Sequence, residues 1–219
     1  MDIKSDIITA PIVTFARHRL QTDGRGVTTL VCFYGCPLRC KMCLNPFTFS
    51  PDTNIETLTA AELYERVKLD ELYFLATNGG VTFGGGEPLL YPDFLAEFRN
   101  ICGKEWHNCV ETSLNVPPQN VRIASGVIDH FIVDCKDTNP DIYKAYTGKD
   151  NTVMLENLKL LTDIVSPDRI TVRVPLITNY NTQADREKTV EYLHRLGITD
   201  VDLFEYIDPK NRDGLFKKK

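Results

Sequence analysis

Short runs rich in β-branched and aromatic residues alternate along this chain with stretches whose apolar positions recur at helical spacing. That order predicts a parallel sheet covered by helices. Six strand candidates follow one another: Val27–Phe33, Val81–Phe83, His107–Glu111, His130–Cys135, Ile170–Val174 and Val201–Phe204. Between them, Thr59-Ala60-Ala61-Glu62 reads as a capping box opening a helix to about Val67, and Pro92–Cys102 sets Phe94, Leu95, Phe98 and Ile101 on one face. Further helices are expected over Pro140–Tyr146, Thr152–Ile164 and Thr182–Leu196. Six βα units in 219 residues, undivided by any Pro/Gly/Ser-rich linker, predict an α/β fold. The expected form is a partial (β/α)6 barrel of the TIM type, with residues 1–219 as a single domain. In such a sheet ligands gather at the carboxyl ends of the strands, so motifs just after a strand carry the chemical interest.

Composition removes several function classes. A net charge of −5 and a pI near 5.4 do not suit a general nucleic-acid binder, which needs a basic face toward phosphates. The basic run Lys217-Lys218-Lys219 reads as a solvated end. No window approaches the roughly 18 apolar residues of a transmembrane span. Met1-Asp2-Ile3-Lys4-Ser5-Asp6 carries acids where a secretory signal needs a basic start, so a cytoplasmic location is expected. Seven cysteines cannot all pair, and a reducing compartment keeps thiols free, which directs attention to metal binding or catalysis.

Three of those thiols fall in one loop. Gly35-Cys36-Pro37-Leu38-Arg39-Cys40-Lys41-Met42-Cys43 directly follows the first strand candidate. Three thiolates from one loop suit three corners of a cubane iron–sulfur cluster, leaving the fourth iron open to another ligand. The blander alternative is structural zinc, which wants a closed set of four N or S ligands and often a second Cys/His pair. No such pair follows, because Cys102, His107 and Cys109 lie far off and form no knuckle. Cys32, inside Leu30-Val31-Cys32-Phe33, reads as a small buried hydrophobe, as do Cys102, Cys109 and Cys135.

A second loop, Gly84-Gly85-Gly86-Glu87-Pro88, follows Val81-Thr82-Phe83 and lets backbone approach a ligand closely. No Lys-Ser/Thr follows it, so a phosphate-binding loop is rejected. In His130-Phe131-Ile132-Val133-Asp134-Cys135-Lys136, alternation puts Ile132, Asp134 and Lys136 on one face. A plain surface ion pair is the alternative reading of the two charges.

Cys36-x3-Cys40-x2-Cys43, with Met42 before the last cysteine, resembles the signature of the radical S-adenosylmethionine superfamily. Asp23-Gly24-Arg25-Gly26 before the strand and Asn45-Pro46 after the loop narrow the resemblance to activating enzymes of glycyl-radical enzymes, of the pyruvate formate-lyase type. The likeness runs from about Asp23 to Tyr206. It implies a [4Fe-4S] cluster on Cys36, Cys40 and Cys43, with S-adenosylmethionine on its open iron. It further implies that Gly85, Gly86 and Glu87 hold the methionyl amino group, a carboxylate facing an ammonium. Asp134 and Lys136 then lie by the methionine carboxylate, with Arg173 and Asn45 near the cofactor. Glu111, Thr112 and Asp134 match a monovalent-cation site for Na+ or K+, with Glu111 where Asp is frequent. Met42 and Tyr206 are candidates for the adenine pocket.

The resemblance implies an oxidoreductase that reductively cleaves S-adenosylmethionine and abstracts hydrogen from a glycine of a partner glycyl-radical enzyme. A flavodoxin or ferredoxin-type protein would supply the electron, under anaerobic conditions, with no nucleic acid or membrane involved. With no cysteine between Cys43 and Glu87, the chain matches the single-cluster form. Two other readings stand beside this one: the same chemistry on a small molecule or peptide, and a non-catalytic zinc or iron–sulfur module. One departure is clear. Relatives tend to end the sixth strand with Pro-Tyr-His, where this chain has Glu205-Tyr206-Ile207.

Overall fold

The computed structural model describes residues 7–20 and 22–206. Its strands, in chain order, are β1 (Thr9–Leu20), β2 (Val27–Phe33), β3 (Glu56–Thr59), β4 (Gly80–Gly85), β5 (Cys109–Thr112), β6 (His130–Asp134), β7 (Ile170–Ile177) and β8 (Val201–Tyr206). They form one open sheet in the order β3-β1-β2-β4-β5-β6-β7-β8. From β2 onward each neighbouring pair is parallel, and these six strands are the six expected from sequence. Two strands were not expected: β1 pairs antiparallel with β2 on one side and β3 on the other. The result is the partial barrel anticipated from the βα order, extended at one edge by an antiparallel pair.

The helices are α1 (Ala60–Val67), α2 (Glu71–Thr77), α3 (Pro92–Cys102), α4 (Pro118–Ser125), α5 (Pro140–Thr147), α6 (Thr152–Ile164) and α7 (Gln183–Arg195). The capping box is formed: the Glu62 N–H donates to Thr59 Oγ1 at 3.2 Å and the Thr59 N–H to Glu62 Oε2 at 2.8 Å. Thr182 and Asp185 open α7 in the same way, and Gly148, at φ 79°, closes α5. Short α2 and α4 escaped the sequence reading. The only buried residue of α2 is Phe74, and α4 buries just Val121 and Ala124, so neither presents the repeating apolar stripe of a longer helix.

Alternation along the strands divides the interior. Val31, Phe33, Phe83, Phe131 and Val133 are buried in the core. There Phe83 meets Phe33 and Phe98 edge to face at 6.0 and 5.3 Å. Leu30, Cys32 and Asp134 alternate with them and line the concave side of the barrel. Among the described residues no helix is long and apolar enough to cross a membrane. The Lys217-Lys218-Lys219 run lies outside the described residues.

Strand β1 is tied to the barrel by one buried carboxylate. Asp70 accepts hydrogen bonds from Arg17 Nε at 2.9 Å and Thr29 Oγ1 at 2.7 Å, and its Oδ1 lies 2.9 Å from His18 Nε2. Burial pushes the Asp70 carboxyl upward, but Arg17 and Thr29 outweigh it and hold it below the ordinary range. Its contribution is therefore complete above the ordinary carboxylate range and fades as pH falls through the depressed value. Asp70→Ala is expected to cost about 1–3 kcal/mol in urea unfolding at neutral pH. The gap to wild type should narrow below about pH 3, where the unfolded aspartate is protonated. A gap that widened on acidification would contradict this role.

Candidate functional site

The cysteine loop leaves β2 at the carboxyl end of the parallel sheet and is fixed by backbone bonds to three neighbours. At its start the Gly35 N–H donates to Thr48 O at 2.7 Å. In its middle the Arg39 and Lys41 N–H groups hang from the end of α5, on Thr147 O at 2.9 Å and Tyr146 O at 3.0 Å. From β4, the Gly86 N–H donates to Phe33 O at 3.1 Å and the Glu87 N–H to Gly35 O at 2.8 Å. Asn45 reaches back from the far side, its Nδ2 donating to Gly85 O at 3.3 Å. The glycine loop and the cysteine loop are thus one folded unit. Only glycine fits where they meet, since a Cβ on Gly86 would stand 2.2 Å from Gly35 O and one on Gly85 2.8 Å from Cys32 Cα.

Cys36, Cys40 and Cys43 are half-buried free thiols that line one cavity of about 580 Å³. Burial pushes Cys36 up to about 12, with Glu87 adding to the rise, and Cys40 up to about 11; Cys43 is also raised. Cys36 feels both other loop thiols, whereas Cys32 is perturbed by burial, Glu111, Arg19 and Asp23 and by none of the three. Cys32 lines the same cavity from within β2, paired with Thr14 of β1. Among the described residues, no three His, Cys, Asp or Glu side chains gather around a point fit for a single metal ion.

The other expected residues mostly converge here. Gly85, Gly86, Glu87, Asn45, Glu111, Thr112, Asp134, Lys136, Arg173 and Tyr206 all line the cavity. Met42 does not, although its neighbours Cys43 and Leu44 do; position in the motif put it forward as an adenine contact. Lys136, only 5% exposed, sits 3.2 Å from Asp134 Oδ2 and donates to the Tyr206 hydroxyl at 2.9 Å. Burial works to lower its ammonium, but Asp134 and Tyr206 outweigh this and keep it charged. Tyr206 occupies the strand end where the Pro-Tyr-His pattern is replaced.

Glu87 is 1% exposed and accepts from Thr112 Oγ1 at 2.7 Å, Ser113 Oγ at 2.6 Å, Ser113 N at 2.8 Å and Leu89 N at 3.2 Å. It has four donors yet, among the described residues, no cationic partner, and burial raises its carboxyl above the ordinary range. Arg173 Nη1 pairs with Glu111 Oε1 at 2.6 Å. Residues that sequence reasoning missed come largely from β1 and its turn: Thr14, Ala16, Arg19 and Asp23 line the wall beside Cys32, and Arg19 and Asp23 form an ion pair. Their only advance signal was Asp23 within Asp23-Gly24-Arg25-Gly26.

Comparison with known proteins decides the family. The sequence model of the radical SAM superfamily matches residues 30–193, most of the chain. The chain belongs to the radical SAM superfamily. Among curated relatives, the pyruvate formate-lyase-activating enzyme of Staphylococcus epidermidis is 32% identical over 205 aligned positions, covering 90% of this chain and 80% of that one. The (2S)-3-sulfopropanediol dehydratase activating enzyme of Klebsiella oxytoca is 29% identical, covering 80% of this chain and 74% of the other. In fold, Streptococcus suis SuiB solved with S-adenosylmethionine aligns with a TM-score of 0.60 at 15% identity, covering 81% of this chain and 42% of SuiB. The radical SAM match encloses both loops and Arg173, and leaves β1 and the Tyr206 end outside it.

Because both atoms nearest a Gly86 Cβ are backbone oxygens, nothing flexible can yield there. Gly86→Ala is expected to destabilise by about 2 kcal/mol or more, within the range for overpacking, and to lower the iron retained after anaerobic reconstitution. Gly126→Ala, whose Cβ meets only Ile123 O at 3.6 Å, serves as the control and should stay within about 0.5 kcal/mol of wild type. Equal stability and iron content in the two variants would contradict the two-loop unit.

Proposed function

We propose that this radical SAM protein is an activating enzyme for a glycyl-radical enzyme, with the whole chain acting as one catalytic domain. The observation that carries the reading is the gathering of three loop thiols, a buried unpaired carboxylate and a buried ammonium around one cavity at the carboxyl end of the sheet. The donor set suits the implied groups. Burial keeps the three thiols protonated in the bare protein, and they would release those protons to solvent on ligating iron, which binds the thiolate form. Among the described residues Glu87 has no cationic partner, and an ammonium would supply one.

Cys36, Cys40 and Cys43 would hold a [4Fe-4S] cluster, which would pass one electron from an external reductant for reductive cleavage of S-adenosylmethionine and so for hydrogen-atom abstraction from a backbone glycine of the partner. The chain's own residues do the positioning. Glu87 and the Gly85-Gly86 backbone orient the methionyl amino group, with Asn45 holding the Gly85 carbonyl in place. Lys136 meets the methionine carboxylate, its ammonium held in place by Asp134 and Tyr206. Leu30, Leu38, Leu44, Phe47 and Phe204 line the same cavity and keep water from the reacting atoms. The named activities of the curated relatives support a glycine on a protein as the target. A flavodoxin or ferredoxin-type donor is the proposed reductant.

The test is anaerobic. Reconstituted protein, reduced with dithionite in S-adenosylmethionine, should yield 5′-deoxyadenosine, and with a glycyl-radical enzyme from the same genome it should produce a glycine-centred doublet in electron paramagnetic resonance. Cleavage without a doublet on any such partner would turn the reading toward a small-molecule or peptide substrate. No cleavage, with zinc at the thiols, would overturn it. Cys36→Ala, Cys40→Ala and Cys43→Ala should each abolish cleavage, while Cys32→Ala should retain cluster and cleavage. Lys136→Met should weaken S-adenosylmethionine binding by about 10- to 100-fold, the loss of one charge-assisted hydrogen bond.

A further inference from the structure

The three residues that resemblance assigns to a monovalent cation do not fit one in this chain. Thr112 donates its hydroxyl proton to Glu87 at 2.7 Å while its oxygen accepts from the Leu114 N–H at 2.9 Å. Asp134 pairs with Lys136 at 3.2 Å, and Glu111 with the Arg173 guanidinium at 2.6 Å. Each carboxylate of the set already has a protein cation against it.

The pair between Glu111 and Arg173 is built into the barrel. Both side chains are less than a fifth exposed. Glutamate extends one methylene beyond aspartate, and the sheet makes room for it at Gly84, where a Cβ would stand 2.8 Å from Glu111 Oε2. Arg173 is held from behind as well, its Nη2 donating to Thr22 O at 2.8 Å and its Nε lying 3.6 Å from Asp202. Arg173 also lines a second cavity, of about 500 Å³, bordered by His107, His130 and Arg169. It therefore stands between two spaces as a fixed floor. Arginine suits such a place because its guanidinium stays charged and is weakly hydrated.

We propose that Arg173 is a built-in counter-cation for Glu111, so that this site works without Na+ or K+. Arg173 is here a positioning residue: it neutralises and fixes Glu111 beneath the cofactor cavity. The proposal rests on the reading of that cavity as the S-adenosylmethionine site, but its test includes measurements on the protein alone.

The full-length protein, with and without S-adenosylmethionine, is exchanged into tetramethylammonium chloride and titrated with thallium(I), a spectroscopic substitute for K+, while thallium-205 resonance is recorded. Thermal unfolding is followed in parallel in K+, Na+ and tetramethylammonium at equal ionic strength. Wild type should give no saturable thallium broadening and one midpoint in all three salts. Arg173→Gln should gain saturable broadening and a midpoint that rises in K+, because an ion bound only to the folded state stabilises it. Arg173→Lys should stay insensitive to the ion. Saturable thallium binding by wild type that Glu111→Gln removes would overturn the proposal, even if Arg173→Gln fails to fold. So would a folded Arg173→Gln that binds no thallium. Absence of S-adenosylmethionine binding would count against the functional reading instead, leaving the ion measurements on the protein alone to judge Arg173.

Discussion

Backbone contact between two loops sets the geometry of this site. The segment leaving β4 can donate its Gly86 and Glu87 N–H groups to Phe33 O and Gly35 O only because no side chain stands between the chains. Parallel pairing of β2 with β4, in register from Thr28 with Gly80 to Phe33 with Gly85, delivers the two loops side by side. The cysteine loop then has one edge on β4 and its middle on the end of α5, so three thiols from eight consecutive positions are presented to a common space. Sequence order, sheet register and metal chemistry are linked at this one seam.

Charge balance is the second theme. The cavity is lined by carboxylates at Asp23, Glu87, Glu111, Asp134 and Asp202, an expensive collection in a partly desolvated space unless each is compensated. Arg19 answers Asp23, Lys136 answers Asp134 and Arg173 is shared by Glu111 and Asp202, whereas among the described residues Glu87 has neutral donors alone. Among the described residues, the cavity carboxylate without a cation thus lies on the glycine loop, where a cationic ligand group is expected.

Much of this was legible in the amino-acid order. The six parallel strands and the helices α1, α3, α5, α6 and α7 follow from strand-rich runs, apolar periodicity and caps, α7 through the capping box at Thr182 more than through its face, which buries only Thr189 and Leu193. β1 did not, because its twelve residues include Pro11, a bend at His18 with φ 56° and three exposed or half-exposed basic residues, which break the alternation. With β1 went Arg19 and its wall of the cavity. The thiols, the glycine loop, Asp134 and Lys136 were identified by motif and converge. Met42 was put forward on position alone and lies outside the cavity lining, and the coupling of Glu111 to Arg173 depends on a contact between β5 and β7, strands that are not neighbours in the sheet. No local pattern encodes such a pair.

The central claim is that the three-thiol loop and the Gly85-Gly86-Glu87 and Lys136 wall serve one bound nucleotide. Electron–nuclear double resonance on the reduced, reconstituted protein measures this directly, with S-adenosylmethionine labelled by nitrogen-15 at the amino group and oxygen-17 at the carboxylate. Couplings from both labels are predicted. A reduced cluster whose spectrum is unchanged by either label, with the nucleotide shown to be bound, would contradict the account.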